Sequence, residues 1–322
     1  MDDSTILVLA NPVTPELALL AALPDTTAIA VGMTPEAFER TASRADVILN
    51  WDGDAQLLEQ VWRMAPRVRW MHSLSAGLDG MLFRDLVESP VPVTNARGVF
   101  SDALGEFAVG AVLFFAKDFR RLIRSQMAGA WGPFNVVQVR GQSLGLVGYG
   151  DVGRAVASRA CALGMNVLAL RRRPELSRED RYVAQVFGTD QKHEMLGLAD
   201  YVVVVAPLTP ETRGMIGERE FEVMKPTAVL INIGRGPVVD EVALIRALEQ
   251  KRIRGAALDV FDVEPLPAGH PIYRLDNVLL SPHAADHTAN WKERTLRVFL
   301  ENFERFRRGE PLINVVNKKL GY

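Results

Sequence analysis

A glycine-rich turn between an apolar run and a helical pattern constrains the fold of this chain more than any other feature. Residues 144–147 are apolar and lead directly into the motif Gly148-x-Gly150-x-x-Gly153. Apolar residues then recur at helical spacing over residues 152–163. In a dinucleotide-binding βαβ unit, the first glycine allows a tight turn, the second admits a pyrophosphate and the third packs the helix on the strand. The motif in this context predicts dinucleotide binding, and a glycine turn in some other α/β protein is the alternative.

The start of the predicted helix supports the same interpretation. A helix N-terminus presents unpaired backbone N–H groups and the positive end of its dipole, which suits phosphate groups. Asp151 and Val152 begin this helix and therefore join the three glycines as predicted cofactor contacts.

The bulk composition excludes several classes of protein. The chain has 322 residues, of which 48% are apolar and 24% charged, with a formal net charge of -2. Such a balance indicates a globular protein without a general attraction to nucleic acid or anionic membranes. The single cysteine, Cys161, excludes a disulfide framework. The acidic segment Met1–Ser4 does not resemble a signal peptide, and no apolar run is long enough for a membrane span, so we expect a cytoplasmic protein.

Alternating strand and helix patterns occur twice in series. In the first hundred residues we predict strands at residues 6–10, 27–31, 45–50, 68–73 and 91–94, with helices at 15–23, 35–42 and 55–64. After the glycine motif we predict strands at 166–170, 201–205, 227–232, 255–259 and 277–281, with helices at 240–251 and 290–307. This rhythm favours two parallel sheets, each with helices on both faces.

A long helix is expected to link the two series. It begins near Ser101 or Asp102 and continues toward Arg124, and its first part is apolar nearly all round. A helix with that pattern is buried, either within its own chain or against another subunit.

Three polar residues follow predicted strands of the second series. Arg235, Glu264 and His283 come after residues 227–232, 255–259 and 277–281 in turn. Ligands of open α/β sheets bind at the carboxyl ends of the strands, so we expect these side chains near the nicotinamide end of a dinucleotide. Each could instead be an ordinary loop residue, but three at the ends of strands of one sheet favour a site. His283 and His287 have a metal-like spacing, yet no third ligand is nearby, so no metal is predicted.

At this point the chain resembles a known family, the D-isomer-specific 2-hydroxyacid dehydrogenases. The similarity covers most of the chain and rests on matching blocks in the same order. These blocks are Ser75-Ala76-Gly77-Leu78-Asp79, Thr94-Asn95-Ala96-Arg97-Gly98, the glycine motif, Pro207-Leu208-Thr209-Pro210-Glu211-Thr212, residues 232–240, residues 255–265 and Ser281-Pro282-His283.

The resemblance implies a fold class and a division of labour. The expected architecture is α/β with two Rossmann- or flavodoxin-like parallel-sheet domains. Residues 1–98 and 287–322 would form a discontinuous, flavodoxin-like substrate domain. Residues 99–286 would form an inserted cofactor domain, through which family members usually dimerise, so a homodimer is expected.

The resemblance also implies roles for individual residues. His283 would be the acid/base, Glu264 its carboxylate partner and Arg235 the substrate anchor. The backbone around Ala76 and Gly77 would bind the substrate carboxylate. These roles fit the chemistry, because hydride addition to a 2-keto carbon leaves an alkoxide that a protonated histidine can neutralise. The remaining implied cofactor contacts are Pro207, Thr212, Ile233 and Asp259.

The end of the strand at residues 166–170 departs from the pattern for NAD. An acidic residue there would bind the ribose 2′-hydroxyl, but Arg171 and Arg172 follow instead. Cations at this place suit a 2′-phosphate, so we expect NADP(H) to be preferred, with NAD possible. A basic surface turn is the alternative interpretation.

The substrate is less well determined than the reaction. Trp51, at the end of the third predicted strand, resembles an aromatic residue of short glyoxylate/hydroxypyruvate reductases, although it could be a core residue. We therefore expect an NADPH-dependent reductase of a small 2-keto acid. An NAD-linked dehydrogenase of a bulkier D-2-hydroxy acid remains open, as does a dinucleotide-sensing binding protein similar to the corepressor relatives of the family.

Overall fold

A computed structural model describes residues 4–321 of the chain. Met1–Asp3, which carry most of the acidic N-terminal segment considered above, lie outside the described residues. The chain divides into two compact units. Unit 1 holds the described residues up to Phe100 together with those from Thr288 onward, and unit 2 is Ser101–His287.

The regular elements are numbered here in chain order. The strands are β1 (Thr5–Leu9), β2 (Ala28–Gly32), β3 (Val47–Asn50), β4 (Trp70–Ser73), β5 (Val93–Asn95), β6 (Ser143–Val147), β7 (Asn166–Leu170), β8 (Gln185–Phe187), β9 (Tyr201–Val204), β10 (Val229–Asn232), β11 (Gly255–Leu258) and β12 (Val278–Leu280). The α-helices are α1 (Ala55–Met64), α2 (Arg84–Glu88), α3 (Ser101–Ala116), α4 (Phe119–Met127), α5 (Asp151–Ala162), α6 (Lys192–Leu198), α7 (Glu218–Val223), α8 (Glu241–Glu249) and α9 (Trp291–Arg308).

Unit 1 is built on a five-stranded parallel sheet in the order β2-β1-β3-β4-β5. Two segments predicted as α-helices, beginning at Pro15 and Pro35, instead form short 3₁₀ helices that end at Ala22 and Phe38. The threonines before them, Thr14 and Thr34, occupy the N-cap positions but make no side-chain capping bond. Without that bond, the free N–H groups of the first turn gain no extra stabilisation.

The last helix, α9, completes the core of unit 1. Its buried residues Leu296, Phe299 and Phe303 pack in one apolar cluster with residues of β1, β3 and β4. The ring of Phe299 stacks on that of Trp70 with centroids 5.2 Å apart. Further along, the Lys318 ammonium donates to backbone carbonyls next to α2, which fixes the C-terminal segment to the same unit.

Unit 2 is built on a seven-stranded parallel sheet in the order β12-β11-β10-β9-β6-β7-β8. The strand order reverses beside β6, between β6 and β9, which is the position where open sheets of this kind bind ligands. Strands β6, β9, β10 and β11 are buried almost throughout, as expected for a sheet covered on both faces. The fold class predicted from the sequence, α/β with two parallel-sheet domains, is confirmed.

The prediction of one long helix from Ser101 toward Arg124 is wrong in one respect, because this segment forms two helices, α3 and α4. Asp118 interrupts it with a left-handed backbone (φ 49°), and its carboxylate accepts the N–H of Arg121 as the cap of α4. A short polar side chain can occupy this conformation and restart a helix at low cost. Helix α3 packs against α5, where a Cβ at Gly105 would lie 3.1 Å from the backbone of Ala155.

No helix within residues 4–321 is both long and apolar enough to cross a bilayer.

Candidate active site

The glycine turn after β6 has the shape that a dinucleotide requires. Gly148 has φ +97°, and a Cβ there would lie 2.8 Å from the backbone nitrogen of Ala206. A Cβ on Gly153 would lie 3.0 Å from the carbonyl oxygen of Gly148, so a larger residue would crowd the approach of the helix to the turn. A Cβ on Gly150 would meet no atom within 4 Å, which leaves open space beside the turn. These residues therefore fit a pyrophosphate group.

The neighbouring elements complete the predicted cofactor side of the sheet. Asp151 and Val152 form the first turn of α5, directly after Gly150. Beyond β9, the Thr212 hydroxyl donates to the carbonyl of Pro207 at 2.6 Å and so closes a compact turn. Ile233 is almost fully buried at the end of β10. The structure thus places all of these residues at the carboxyl edge of the unit 2 sheet, and their contacts with a cofactor stay predictions.

The two arginines after β7 differ in their surroundings. The Arg171 guanidinium donates to the hydroxyl of Ser177, which is almost fully buried. Burial, followed by the neighbouring charge of Arg173, lowers the pKa of Arg171. Arg172 is exposed and its charge reaches Glu211, whose pKa is lowered mainly by the Thr209 hydroxyl and to a smaller extent by Arg172. Arg171 therefore shapes the loop, whereas Arg172 presents its charge at the surface.

His283 and Glu264 form a hydrogen-bonded pair. The Nδ1 atom of His283 lies 2.6 Å from Oε2 of Glu264. The other carboxylate oxygen, Oε1, accepts the backbone N–H of Phe261 at 2.9 Å. Because the carboxylate accepts at Nδ1, the imidazole presents Nε2 as its second functional atom. The side chains are 44% and 33% exposed, which leaves Nε2 accessible to a small molecule.

Asp259 holds the backbone on which His283 stands. The side chain of Asp259 is 1% exposed, and Oδ1 accepts the Ser281 hydroxyl at 2.6 Å and the N–H groups of Ala284 and Ala285. Its carbonyl accepts the N–H of His283 at 2.9 Å. His283 has φ +51°, an uncommon conformation for a residue with a side chain, and these four bonds stabilise it. The implied contact of Asp259 with the cofactor stays a prediction.

The segment carrying Arg235 lies directly against the segment carrying Glu264. Asn232 at the end of β10 orders this turn, because its amide donates to the carbonyl of Arg235 and accepts the N–H of Gly234. A Cβ on Gly236 would lie 2.0 Å from the backbone of Phe261. The Arg235 and Glu264 segments can therefore adjoin only because residue 236 is glycine.

The sequence interpretation missed two polar residues of this site. Ser281 is the first residue of the Ser281-Pro282-His283 motif, and the sequence predicted no role for it. In the structure its hydroxyl donates to Asp259. Asp286 has a raised pKa because it is buried, and the nearby His287 and His283 partly oppose that shift. The sequence indicated Asp286 only through its position, three residues after His283.

Three of the candidate residues lie in unit 1. The ring of Trp51 packs against the apolar cluster that includes Trp70, which fits the core interpretation. The carbonyl of Ala76 accepts the Asn95 side-chain amide at 2.6 Å, and this bond orders the turn formed by Ala76 and Gly77. Their roles toward a substrate stay predictions. Asn95 is a residue that the sequence interpretation did not single out.

Two other histidines can be compared with His283. His72 is fully buried in β4, with Nδ1 2.7 Å from the Thr94 hydroxyl, so it has no access to a solvent-borne ligand. His287 is half-exposed and lies 3.8 Å from Asp286. Within residues 4–321, no three His, Cys, Asp or Glu side chains are grouped so as to hold a metal ion.

Comparison with known proteins explains this arrangement. Residues 109–285 match the description "D-isomer specific 2-hydroxyacid dehydrogenase, NAD binding domain". The chain belongs to this family. It is accordingly an NAD(P)-dependent oxidoreductase, as the resemblance of the sequence motifs predicted.

Relatives over most of the chain agree with the family match. A glyoxylate reductase of Korarchaeum cryptofilum is 35% identical over 81% of this chain and 80% of its own length. A D-isomer specific 2-hydroxyacid dehydrogenase from Xanthobacter autotrophicus Py2, solved with NADPH and MES, is 30% identical with a TM-score of 0.86 and covers 100% of both chains. An NADPH-dependent glyoxylate/hydroxypyruvate reductase from Sinorhizobium meliloti, solved with NADP and sulfate, is 25% identical with a TM-score of 0.85, over 99% of this chain and 100% of its own.

Proposed function

We propose that the protein is an NADPH-dependent reductase of a small 2-keto acid, with glyoxylate and hydroxypyruvate as the leading substrates. The observation that carries this proposal is the 2.6 Å bond between Glu264 and His283, because it orients the imidazole so that Nε2 is left for proton transfer. The names of the relatives support the substrate class.

The reaction needs a proton donor at the developing alkoxide oxygen and a positive charge near the substrate carboxylate. The bound nicotinamide supplies hydride to the keto carbon in reduction and accepts it in oxidation. In reduction, His283 starts as imidazolium and transfers the Nε2 proton to the developing alkoxide oxygen, while Glu264 keeps the hydrogen bond at Nδ1. The carboxylate holds the ring in one orientation through the hydrogen bond at Nδ1.

Arg235 is the proposed anchor of the substrate. A guanidinium can bind a carboxylate through two parallel hydrogen bonds and can also polarise a keto oxygen. The carbonyl of Gly234 accepts from Nη1 of Arg235 at 2.9 Å, and this bond orients the guanidinium. A carboxylate next to the reacting carbon is therefore the group that this site would select.

The preference for NADPH rests on the residues after β7. Leu170 ends the strand, and Arg171, Arg172 and Arg173 follow it in place of an acidic residue. Arg172 is the proposed 2′-phosphate ligand because it is exposed, whereas Arg171 supports the loop through Ser177. Two solved relatives were bound to NADPH or NADP, which supports this assignment.

A homodimer formed through unit 2 is also proposed. None of the nine residues of helix α4 is buried. Its apolar side chains Leu122, Ile123 and Met127 are 47%, 52% and 84% exposed. Trp131, just after it, is fully exposed. Large apolar side chains exposed on one helix and the segment after it favour burial against a second copy of the chain. Sedimentation of the protein and of Ile123→Glu tests this, and a wild-type monomer at micromolar concentration would contradict it.

A panel of 2-keto acids with NADPH and NADH tests the proposed function. Glyoxylate and hydroxypyruvate should have the highest kcat/KM with NADPH. Preferential turnover of bulkier keto acids with NADH would favour the NAD-linked dehydrogenase instead. Tight dinucleotide binding without turnover of any keto acid would favour a sensing protein similar to the corepressor relatives.

A further inference from the structure

The loop that carries Glu264 is attached at both ends to the carboxylate of another residue, Glu241, which is not part of the Glu264–His283 pair. Glu241 stands in the first turn of α8. Its Oε2 accepts the backbone N–H of Asp262 at 3.3 Å, and its Oε1 lies 3.2 Å from Nε2 of His270. Residues 262 and 270 bracket Glu264, so a single side chain spans the loop.

The pairing of Glu241 with His270 is less exposed than that of Glu264 with His283. The side chains of Glu241 and His270 are 16% and 18% exposed, against 33% and 44% for Glu264 and His283. On the other side of the His270 ring, Nδ1 faces the N–H of Ile272 at 3.5 Å and caps a short 3₁₀ helix. We assign the ring hydrogen to Nε2, which then donates to Glu241.

Both carboxylates hold the same dipeptide. The N–H of Phe261 donates to Glu264, and the N–H of the next residue, Asp262, donates to Glu241. Any shift of this dipeptide therefore changes the position of the Glu264 carboxylate relative to His283. The close contact of Gly236 with the backbone of Phe261 limits such a shift toward the Arg235 turn.

We propose that Glu241 and His270 are positioning residues for proton transfer. They hold residues 261–270 so that Glu264 stays hydrogen-bonded to Nδ1 of His283. They touch neither substrate nor cofactor, and they act through the backbone of Asp262 and the end of the loop. The kinetic part of this proposal rests on the proposed reductase function.

Glu241→Gln is the first test. The two bonds go to different oxygens of Glu241, and a glutamine replaces one of these oxygens by an NH₂ group, so it loses either the bond from the Asp262 N–H or the bond from His270 Nε2. We expect kcat for keto acid reduction to fall about tenfold, with KM for the keto acid changed less than about threefold. Glu249→Gln, at the exposed far end of the same helix, removes the same charge and should leave kcat within about twofold of wild type.

A double-mutant cycle separates positioning from a general structural effect. If Glu241 acts through Glu264, then Glu241→Gln should have little further effect on kcat in a Glu264→Gln background. Fully multiplicative losses would overturn the proposal, and so would an unchanged kcat in the single variant.

Backbone hydrogen exchange gives a readout that does not need turnover. In Glu241→Gln, peptides covering residues 261–270 should exchange at least about tenfold faster than in wild type, while the strands of the sheet stay protected. Unchanged exchange would refute the attachment of the loop even if the protein reduced no keto acid. Faster exchange in a protein that reduces no keto acid would instead leave the attachment standing and count against the proposed function.

Discussion

A Cβ atom on Gly236 would lie 2.0 Å from the carbonyl carbon of Phe261. The turn that carries Arg235 and the loop that carries Glu264 therefore meet through their backbones, with no side chain between them at this contact. Because backbones pack with little freedom to repack, the distance between Arg235 and Glu264 depends on this one glycine.

We expect Gly236→Ala to displace one of these two segments. Overpacking against backbone atoms costs on the order of 1–3 kcal/mol, and a shift of about 1 Å at a reacting group can lower kcat about a hundredfold. Steady-state kinetics and thermal unfolding would measure both effects. The control is Gly110→Ala in α3, where a Cβ meets no atom within 4 Å. Near-normal kcat in Gly236→Ala would contradict the close packing.

His283→Ala should lower kcat by roughly 10²–10⁴ at every pH, because it removes the proposed proton donor. Cofactor binding, measured by nucleotide fluorescence, should change little. In the wild type, reduction needs the imidazolium and should slow as pH rises, whereas oxidation needs the neutral ring and should slow as pH falls. Parallel pH profiles for the two directions would argue against His283 as the proton carrier.

Arg235→Lys keeps the positive charge but loses the planar fork of donors. We expect a higher KM for the keto acid together with a lower kcat, and little change in the Kd of NADPH. Titration of NADPH into the variant separates the two sites. A collapse of NADPH affinity would assign Arg235 to the cofactor or to the fold.

Arg172→Asp should lower the ratio of kcat/KM for NADPH to that for NADH. A charge-assisted bond contributes on the order of 1.5–3 kcal/mol, which corresponds to about a tenfold to hundredfold change in the ratio. Arg171→Asp should lower the ratio as well and should also loosen the loop, because it removes the bond to Ser177. Arg178→Asp, an exposed site on the same segment, is the control for charge alone. A wild-type preference for NADH would rule out the assignment.

Unit 1 should lose stability in mild acid because of His72. Burial lowers the pKa of this histidine from 6.5 to about 3 in the folded chain. Below pH 6.5 the unfolded state binds the additional proton, so the free energy of unfolding should fall by about 1.4 kcal/mol per pH unit down to about pH 3.

Denaturant titrations between pH 7 and 5 test this expectation. Four of the five tryptophans (Trp51, Trp62, Trp70 and Trp291) lie in unit 1, so tryptophan fluorescence reports mainly on that unit. The variant His72→Phe should show a weaker dependence on pH over the same range. An equal dependence in both proteins would mean that other groups titrate.

Local patterns were sufficient to predict the fold class and every described strand except the short edge strand β8, which was missed. Buried parallel strands such as β9 and β10 appear in the sequence as short β-branched and apolar runs, and the glycine motif marks where the second sheet begins. The motifs also predicted the family and its enzymatic class correctly. Helix identity was harder, because the 3₁₀ helices after Pro15 and Pro35 have the same composition as short α-helices.

The contacts that hold the site were less accessible to sequence reasoning. The break at Asp118 depends on a left-handed backbone that a polar residue allows but does not require. Ser281 binds Asp259, and Glu241 contacts both Asp262 and His270. Each of these contacts joins residues that are 21 to 29 positions apart in the sequence. Such contacts depend on the tertiary path of the loops, which residue periodicity does not encode.

The packing of α9 into unit 1 bears on how the chain folds during synthesis. Unit 2 is continuous, so all of its residues have left the ribosome once His287 emerges. Unit 1 begins first but still lacks Phe299 and Phe303, which pack into the cluster around Trp70. Domains generally fold as units as their sequence becomes complete. The N-terminal sheet must therefore wait, with one apolar face uncovered, until the final helix is translated, and this interval is when a nascent chain would most need a chaperone.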